Sequence, residues 1–415
     1  MGDGVAISNG SGSYLTDSVS NGFTSGKKYR VSLEILEYNS GSVSLPFDGA
    51  GGNTNYQNSI GIKTADITAE NNSPIYIYSS GFDGSIDNVS VIEVLGDKPR
   101  IDYSDSLTEP SLLLEPQSTN LVVNSENLSV LNQTTINLVI SPDVSPSGKL
   151  NSWRATRTGS DNRIGSSFSA VSGLTYTTSI YAKKVSGSGV INITDYQGNP
   201  SAYNLTENWQ RYTLTASATS TTGRAYVTLQ NIGDVVDFYG LQSEQLSYAT
   251  SYIPTAGSTA TRLGETANNA GDVNVFNSEE GVLYFEAKTD NTDAGSISIN
   301  NGTLSVRITA RVRPDISKIQ MAISGSTDDF NYNSETITLS EYNKIAIVYN
   351  NGQYYFFING VKSTIQNKGT FNANSFTQFD FNRGGGGEIF YGKVKNVKVF
   401  NKALTDRELE ILTIQ

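Results

Sequence analysis

Apolar residues in this sequence recur at every second position, in short runs that polar turns separate. In the run at 30–35, Val31, Leu33 and Ile35 alternate with polar side chains, as in a strand with one buried face. The run at 75–78 alternates isoleucine and tyrosine, which also favours a strand. Helical periodicity is almost absent before the end of the chain. The pattern predicts an all-β fold of serial β-sandwiches with one short C-terminal helix.

Composition limits the chemistry of such a chain. Hydrophobic residues make up 37% of the 415 residues, and 23 tyrosines and 16 phenylalanines supply much of the apolar mass, which is typical of thin sandwich cores. The net charge of -11 argues against nucleic acid as a partner, and the lack of an apolar run of about 18 residues argues against a membrane span. The chain has no histidine and no cysteine, which removes Ser-His and Cys-His nucleophile pairs and the commonest zinc ligands.

Three consecutive leucines at 112–114 stand between two segments that look like full modules. Such a run has no polar face, so at least two of its faces must be covered. Pro116 ends the run, because proline cannot donate a ladder hydrogen bond. We interpret residues 97–118 as a buttress or linker, clamped where one β-module is followed by the next. The alternative is an ordinary buried strand inside one module.

The same stretch carries a resemblance. Residues 100–103 and 110–121 resemble a segment that recurs in bacteriophage structural proteins of the tail-fibre and head-fibre kind. Residues 238–244, 249–255 and 261–262 are similar to the closing strand and exit loop of the carbohydrate-binding-like module in those proteins. The resemblance implies a component of an extracellular virion, with other virion proteins as partners.

Two stretches look like divergent copies of one module. The pattern Gly-x-x-Tyr-x-x-Ser begins at Gly26 and again at Gly173. Both copies resemble the jelly-roll family of carbohydrate-binding modules, with two antiparallel sheets face to face, which implies jelly rolls at 1–96 and 119–262. Fewer residues precede the pattern in the first copy. We therefore expect it to lack opening strands, either because the chain is part of a longer protein or because a neighbouring subunit supplies them.

Residues 263–415 form a third module. The Asn-Gly pairs at 351–352 and 359–360 fit tight hairpin turns, because both central residues of a type I′ turn need positive φ. Residues 405–408 have the pattern of a helix-capping box. The order of strands and turns resembles the laminin-G or concanavalin-A-like sandwich, and residues 395–409 are similar to the closing strand and terminal helix of that family.

The jelly-roll resemblance also implies structural calcium ions. In the second copy it points to Asp237 with Asn124, Ser125 and Glu126, and in the first copy to Asp87. Carboxylate and carbonyl oxygens of this kind suit a hard cation. The alternative is an aspartate that ends a turn or hydrogen-bonds a loop.

Exposed aromatic rings are candidates for sugar binding, because their flat faces stack on pyranose rings while nearby polar groups fix the orientation. Two of the candidates lie in a polar stretch of the third module that we interpret as a loop. Trp209 is left out, because its surroundings resemble a structural strand. The alternative for each ring is packing in a core or on a sheet face. The candidates are Trp153, Tyr181, Tyr196, Tyr203, Phe330 and Tyr332.

Catalytic residues are not evident. Concanavalin-like glycosidases carry alternating acids on one strand, so that two of them flank the scissile bond. The comparable stretch at 281–287 has a single acid, Glu286, and the adjacent Asp328 and Asp329 would point to opposite faces of a strand. The glycine run at 384–387 lacks the Lys-Ser/Thr of a phosphate-binding loop. We therefore expect no enzymatic activity.

Taken together, these features predict a non-enzymatic phage virion protein, such as a fibre, spike or decoration, that adheres to glycans of the host surface or the environment through many weak contacts. We expect a homo-oligomer, and a trimer if the particle part is a fibre. The alternative is a purely structural decoration or collar protein without a ligand. A polysaccharide depolymerase is a third possibility, which requires paired acids roughly 5–9 Å apart across a groove.

Overall fold

The computed structural model describes residues 6–10, 14–17, 22–48, 56–93, 98–194 and 200–415. Nearly all regular structure in these residues is β-strand, so the all-β prediction is confirmed. The described chain forms two compact units. The first contains the described residues between 6 and 93 with Val123–Leu131 and Pro254–Thr259, and the second contains those of 98–122, 132–253 and 260–415.

The first unit is built on one six-stranded sheet. Its strands are β1 (Ala6–Asn9), β2 (Tyr14–Asp17), β3 (Lys28–Ser44), β4 (Tyr56–Gln57), β5 (Gly61–Thr68) and β6 (Ile75–Glu93). The two long strands β3 and β6 pair antiparallel, β1 and β2 pair with β6, and β4 and β5 pair with β3. Val31, Leu33 and Ile35 on β3 are fully buried, as their alternation predicts.

The repeated Gly-x-x-Tyr pattern has the same local geometry in both copies. The hydroxyl of Tyr29 accepts a hydrogen bond from the Thr24 amide at 2.9 Å, and the hydroxyl of Tyr176 accepts one from the Val171 amide at 2.9 Å. Each tyrosine therefore closes the loop five residues before it in the same way.

Strands between residues 132 and 244 form two five-stranded sheets packed face to face, which we call the second sandwich because it belongs to the second predicted module. Three short strands precede it, β7 (Arg100–Asp102), β8 (Ser111–Leu114) and β9 (Ser118–Asn120). Its strands are β10 (Asn132–Thr134), β11 (Ile136–Ile140), β12 (Trp153–Arg157), β13 (Arg163–Ser169), β14 (Thr175–Ser186), β15 (Val190–Thr194), β16 (Pro200–Asn204), β17 (Gln210–Ser217), β18 (Thr222–Leu229) and β19 (Val235–Glu244). One sheet has the order β10-β13-β18-β15-β16 and the other β11-β12-β19-β14-β17. Inward side chains such as Ile164, Ile193 and Phe238 are buried between them.

The third sandwich pairs an eight-stranded sheet with a five-stranded one. After β20 (Ala260–Arg262), which pairs with β9, its elements are β21 (Glu280–Lys288), β22 (Gly295–Asn300), β23 (Arg307–Arg313), β24 (Lys318–Ser324), β25 (Phe330–Asn333), β26 (Asn343–Asn350), β27 (Gln353–Ile358), β28 (Val361–Lys362), β29 (Gln366–Asn367), β30 (Gln378–Asp380), β31 (Gly392–Phe400) and α1 (Asp406–Thr413). The larger sheet has the order β28-β27-β26-β21-β31-β8-β7, with β29 beside β27, and the smaller has the order β25-β24-β23-β22-β30.

The leucine run lies in this third sandwich. β8 pairs antiparallel with β31 and with β7, so two strands from residues before the second sandwich extend the larger sheet. Leu114 is 1% exposed in the core and Leu112 packs against the same core, while Leu113 lies on the opposite face, half-buried. The run is therefore an internal strand of this sheet, paired at both edges, with Leu112 and Leu114 on its core face.

The turns and the terminal helix of the third sandwich match the sequence patterns. Asn351 and Gly352 have φ values of 45° and 84°, as a type I′ turn requires. The capping box at Thr405 and Glu408 is present, and Leu409 of α1 is buried against the outer face of the larger sheet. The predicted short C-terminal helix is thus confirmed. In the part of the chain that the structure describes, no helix is long and apolar enough to cross a bilayer.

The loop between β7 and β8 is held by Asp105. Its carboxylate lies 3.0 Å from Lys288 Nζ and 3.1 Å from Lys393 Nζ, and it accepts a hydrogen bond from the Tyr342 hydroxyl at 2.9 Å. Partial burial alone raises the pKa of Asp105, but the hydrogen bonds from the lysines and the tyrosine outweigh it and lower that pKa to about 2.

Asp105→Asn is therefore expected to lower the free energy of unfolding at pH 7. It should also make that free energy fall less steeply as the pH decreases. A carboxylate whose pKa is lower in the folded chain stabilises the fold at any pH above its pKa in the unfolded chain, about 4. This contribution is lost as the pH falls toward 2. Urea midpoints measured between pH 7 and pH 2.5 test this. Asp293→Asn is the control, because Asp293 is exposed and makes no ion pair with a described residue. Parallel curves for Asp105→Asn and the wild type contradict the prediction.

Candidate functional site

One outer face of the second sandwich carries charged side chains in a row. Arg154 on β12, Asp237 on β19 and Lys183 on β14 stand directly opposite one another across three adjacent strands. Because their neighbour Phe238 points into the core and successive side chains alternate, these three project from the outer face of the sheet.

The charges on this face pair with each other. Arg154 donates from Nε to one oxygen of Asp237 at 2.8 Å and from Nη2 to the other at 2.9 Å, and Ser141 Oγ donates to Asp237 at 2.9 Å. Asp143, in the loop after β11, accepts from Lys183 at 2.6 Å and from Arg154 at 3.1 Å. The hydrogen bond from Lys183 lowers the pKa of Asp143, and the hydrogen bond to Asp237 raises the pKa of Arg154. Each of the four charged groups therefore has a partner of opposite charge on this face.

Two aromatic rings border these ion pairs. The indole of Trp209 donates from Nε1 to the Val144 carbonyl at 2.9 Å, and Lys183 Nζ lies 5.5 Å from the ring centroid. Tyr181, two residues before Lys183 on the same face, lies under the guanidinium of Arg211 at 5.3 Å. Both rings are half-buried, so each keeps an accessible surface. We call Asp143, Arg154, Tyr181, Lys183 and Trp209 the aromatic–ion-pair face.

The other half of the same sheet face is covered by residues 245–253. The ring of Tyr252 packs on Tyr239 at 5.2 Å between centroids. A Cβ at Gly240 would lie 3.1 Å from the Tyr252 ring, and Gly240 has a φ of 65°, so glycine is favoured there. The segment at 245–253 therefore covers half of the sheet face and does not extend over the aromatic–ion-pair face.

A buried charge network lies at the covered end. Glu115, 6% exposed, pairs with Arg100 and with Arg262, the latter at 2.9 Å. Arg100 also pairs with Glu265. Burial raises the pKa of Glu265, which the hydrogen bond from Arg100 opposes. Glu244 lies nearby and is fully buried. We call Arg100, Glu115, Glu244, Arg262 and Glu265 the buttress network.

Glu244 is saturated with hydrogen-bond donors. It accepts from Ser118 Oγ at 2.5 Å, from Gln242 Nε2 at 2.8 Å, and from the Thr250 amide and hydroxyl at 2.7 and 2.6 Å. Because its acceptors are used by the protein itself, Glu244 fastens these chain segments together and is not available to a ligand.

The structure brings one sequence-predicted sugar candidate to the aromatic–ion-pair face, Tyr181. Trp153 stands opposite the buried Phe238 in the ladder and so projects from the inner face of the sheet. Tyr203 packs on Tyr212 at 5.7 Å and donates to the Thr213 carbonyl at 2.7 Å, which joins the two sheets at their edge. Tyr196 lies outside the described residues.

The interpretation of Phe330 and Tyr332 as loop residues was wrong. They lie on β25, the edge strand of the smaller sheet of the third sandwich. Phe330 meets Tyr354 at 5.3 Å, and Tyr332 stacks on Phe356 at 6.0 Å, so both rings pack against the core. The polar residues between and around them occupy the outward positions of an alternating strand, and this made the stretch resemble a loop.

The surroundings of Asp237 do not fit a calcium site, because a guanidinium already occupies both carboxylate oxygens. Ser125 instead exchanges hydrogen bonds with Thr255 at 2.8 Å. Among the described residues, no group of three or more carboxylates has the arrangement of a metal site. Calcium binding at Glu126, which is half-buried, and at Asp87 stays a prediction.

Sequence reasoning missed Asp143, Arg154, Lys183 and Trp209 as site residues. Arg154 and Asp237 are 83 positions apart in sequence, so only the strand register reveals that they pair. Trp209 precedes β17 and is not inside a strand, and a tryptophan next to a strand of polar residues was the one signal that could have indicated it.

Comparison with known proteins is consistent with the C-terminal fold. Residues 264–410 match the family described as the concanavalin A-like lectin/glucanases superfamily, which confirms the expected concanavalin-A-like sandwich. No curated protein matches the chain. The resemblance to phage structural proteins stays a prediction.

Three solved structures are similar to parts of the chain. The CBM40 of the Ruminococcus gnavus IT-sialidase is 18% identical, with a TM-score of 0.30, and the match covers 33% of this chain and 84% of that one. Domain 4 of AbnA, a GH43 extracellular arabinanase from Geobacillus stearothermophilus in complex with arabinotriose, is 17% identical, with a TM-score of 0.28, covering 40% and 81%. Domains LG4-5 of the mouse laminin alpha1 chain are 6% identical, with a TM-score of 0.25, covering 57% and 86%.

Proposed function

We propose that the chain is a non-catalytic carbohydrate-binding protein and that the aromatic–ion-pair face is its sugar-binding surface. The observation that carries the proposal is the position of Tyr181 and Trp209 beside Lys183 on the open half of an otherwise covered sheet. An aromatic ring offers a flat apolar surface to a pyranose, and charged groups beside it exchange hydrogen bonds with ring hydroxyls.

The charges on this face suit binding better than hydrolysis. A glycosidase needs one carboxyl group that stays protonated near neutral pH. Asp143 and Asp237 both pair with Arg154, and the hydrogen bond from Lys183 lowers the pKa of Asp143. Glu286 of the third sandwich lies 4.0 Å from Lys395 on the outer face of the larger sheet, away from the smaller sheet.

The biological setting follows from the sequence resemblance. As a fibre, spike or decoration of a phage particle, the chain would be present in many copies, and repeated weak contacts would raise the avidity for a glycan-coated surface. A homo-oligomer, with a trimer as the expected form of a fibre, would present several aromatic–ion-pair faces at once. One observation favours the alternative, a purely structural decoration protein. The rings of Trp153, Phe330 and Tyr332 face sandwich interiors, and Tyr203 packs between two edge strands.

Trp209→Ala is expected to weaken saccharide binding by about tenfold or more, equivalent to about 1.4 kcal/mol. A glycan array probed with clustered wild-type protein identifies the ligand, and isothermal titration then compares the variants. Tyr103→Ala is the matched control, because Tyr103 is an aromatic residue, 51% exposed, outside this face. Equal affinity of wild type and Trp209→Ala, with the fold intact by circular dichroism, would exclude this face as the binding surface.

A further inference from the structure

Three arginines lie close together on one face of the third sandwich. Alternate residues of β23 belong to the core, so Arg307, Thr309 and Arg311 project from the opposite face of the smaller sheet. Arg383 reaches the same face from the loop after β30.

The glycine-rich loop at 382–388 sets Arg383 beside Arg307. Gly384 packs closely on the sheet, because a Cβ built there would lie 3.2 Å from the Asn300 side chain. Asn300 stands directly opposite Arg307 in the β22–β23 ladder. The glycines therefore allow the loop to lie on the sheet and to add a guanidinium next to that of Arg307.

The positive charges on this face are only partly neutralised. Glu388 accepts from Arg311 at 2.7 and 2.6 Å and from Arg383 at 3.1 Å. Arg307 makes no side-chain hydrogen bond or ion pair with any described residue. Burial has the largest effect on the pKa of Arg307 and lowers it, and the charge of Arg383 lowers it further. The carboxylates of Asp329 and Glu388, which do not contact Arg307, raise that pKa by a smaller amount. The carboxylate of Glu388 thus contacts two of the three guanidinium groups, and that of Arg307 is left without a contacting carboxylate among the described residues, in a protein of net charge -11.

Three donors on this face are buried without an acceptor. They are Nε of Arg307, Nε of Arg383 and Oγ1 of Thr309. A buried donor without a partner destabilises the fold unless something supplies the acceptor. Arg211, Arg262 and Arg383 each have an unpartnered Nε but pair through a terminal nitrogen. Arg307 pairs through none of its nitrogens within the described part of the chain.

We propose that this face binds an oxyanion of an acidic saccharide, held between the guanidinium groups of Arg307 and Arg383 and the hydroxyl of Thr309. Guanidinium groups match the geometry of carboxylate and sulfate oxygens, and the charge-assisted bonds are strong where water is partly excluded. Asn331 lies on the edge strand β25, which β24 separates from β23, and its exposed amide suits a sugar hydroxyl. This site is separate from the aromatic–ion-pair face and does not depend on it.

The test is titration of the whole chain with two pairs of saccharides. Oligogalacturonate is compared with its methyl ester, and dextran sulfate oligomers with dextran, so that each pair differs only in its charged groups. We expect the wild type to bind at least one charged member and neither neutral member at this site, and the charged member that binds identifies the oxyanion. Arg307→Gln is expected to weaken that binding at least tenfold, and to leave the thermal unfolding midpoint unchanged or raised, because it removes a half-buried charge that has no ion-pair partner among the described residues.

Arg313→Gln is the control, because Arg313 is on the same face of β23 but pairs with the exposed Asp315 at 2.9 Å. It should change the affinity less than twofold, as should Trp209→Ala, whose site lies in the second sandwich. The proposal is overturned if neither acidic saccharide binds, if Arg307→Gln binds as well as the wild type, or if Arg313→Gln loses as much affinity as Arg307→Gln.

Discussion

Glu115→Ala is expected to lower the free energy of unfolding of the second unit by about 3–5 kcal/mol, because it removes one partner from a buried ion network. The carboxylate pairs with Arg100 and Arg262, and its second oxygen accepts from the Ser251 amide at 2.8 Å. Without it, Arg262 loses its only ion-pair partner among the described residues, and a backbone amide loses its acceptor.

Urea denaturation followed by tryptophan fluorescence measures this loss, since both tryptophans, Trp153 and Trp209, lie in the second sandwich. Glu109→Ala is the matched control. Glu109 is 74% exposed and lies 3.8 Å from Lys395, so its removal should change stability by less than about 1 kcal/mol. Similar small losses in both variants would show that the buttress network does not hold the unit together.

Leu114→Ala is expected to destabilise the third sandwich by about 2–5 kcal/mol, through the lost burial of the side chain and the cavity that it leaves. Leu114 is 1% exposed and belongs to the same core as Phe285 and Val394. Because β8 joins the sheet beside β31, the loss should appear as faster amide hydrogen exchange in residues 392–400.

Leu113→Ala is the paired comparison, since Leu113 lies on the same strand but is only half-buried on the opposite face. Leu113→Ala is expected to lower the free energy of unfolding by about 1 kcal/mol. If the two variants exchange hydrogen at equal rates in residues 392–400, β8 is not part of the cooperative third sandwich.

Local features of the fold could be predicted from sequence, because they depend on neighbouring residues. The alternation at Val31, Leu33 and Ile35 predicted a half-buried strand, and the Asn-Gly pair at 351–352 predicted a turn with two positive φ values. On β26 the residues between Ile345 and Tyr349 are buried on both faces, because α1 covers the outer one. An apolar run without alternation is the sequence signal for that double covering.

The candidate site could be predicted only in part, because it depends on strands that are distant in sequence. Tyr181 was recognisable as an aromatic residue in a polar module, but its neighbours on the face come from β12, β19 and the loop after β11. The family resemblance indicated Asp237 as a metal ligand. The strand register instead places Arg154 opposite Asp237, so the carboxylate pairs with a guanidinium. The composition around Phe330 and Tyr332 indicated a loop because sheet-edge strands expose polar residues on one side.

Saccharide binding without cleavage is tested most directly by recovering the ligand after binding. Clustered wild-type protein is incubated at neutral pH with a library of defined oligosaccharides, and the retained saccharides are eluted and sized by mass spectrometry. We predict that at least one saccharide is retained by the wild type, that retention falls in Trp209→Ala, and that the eluted saccharide has its full length. Retention of no saccharide, or recovery of shortened products, would contradict a non-catalytic carbohydrate-binding role.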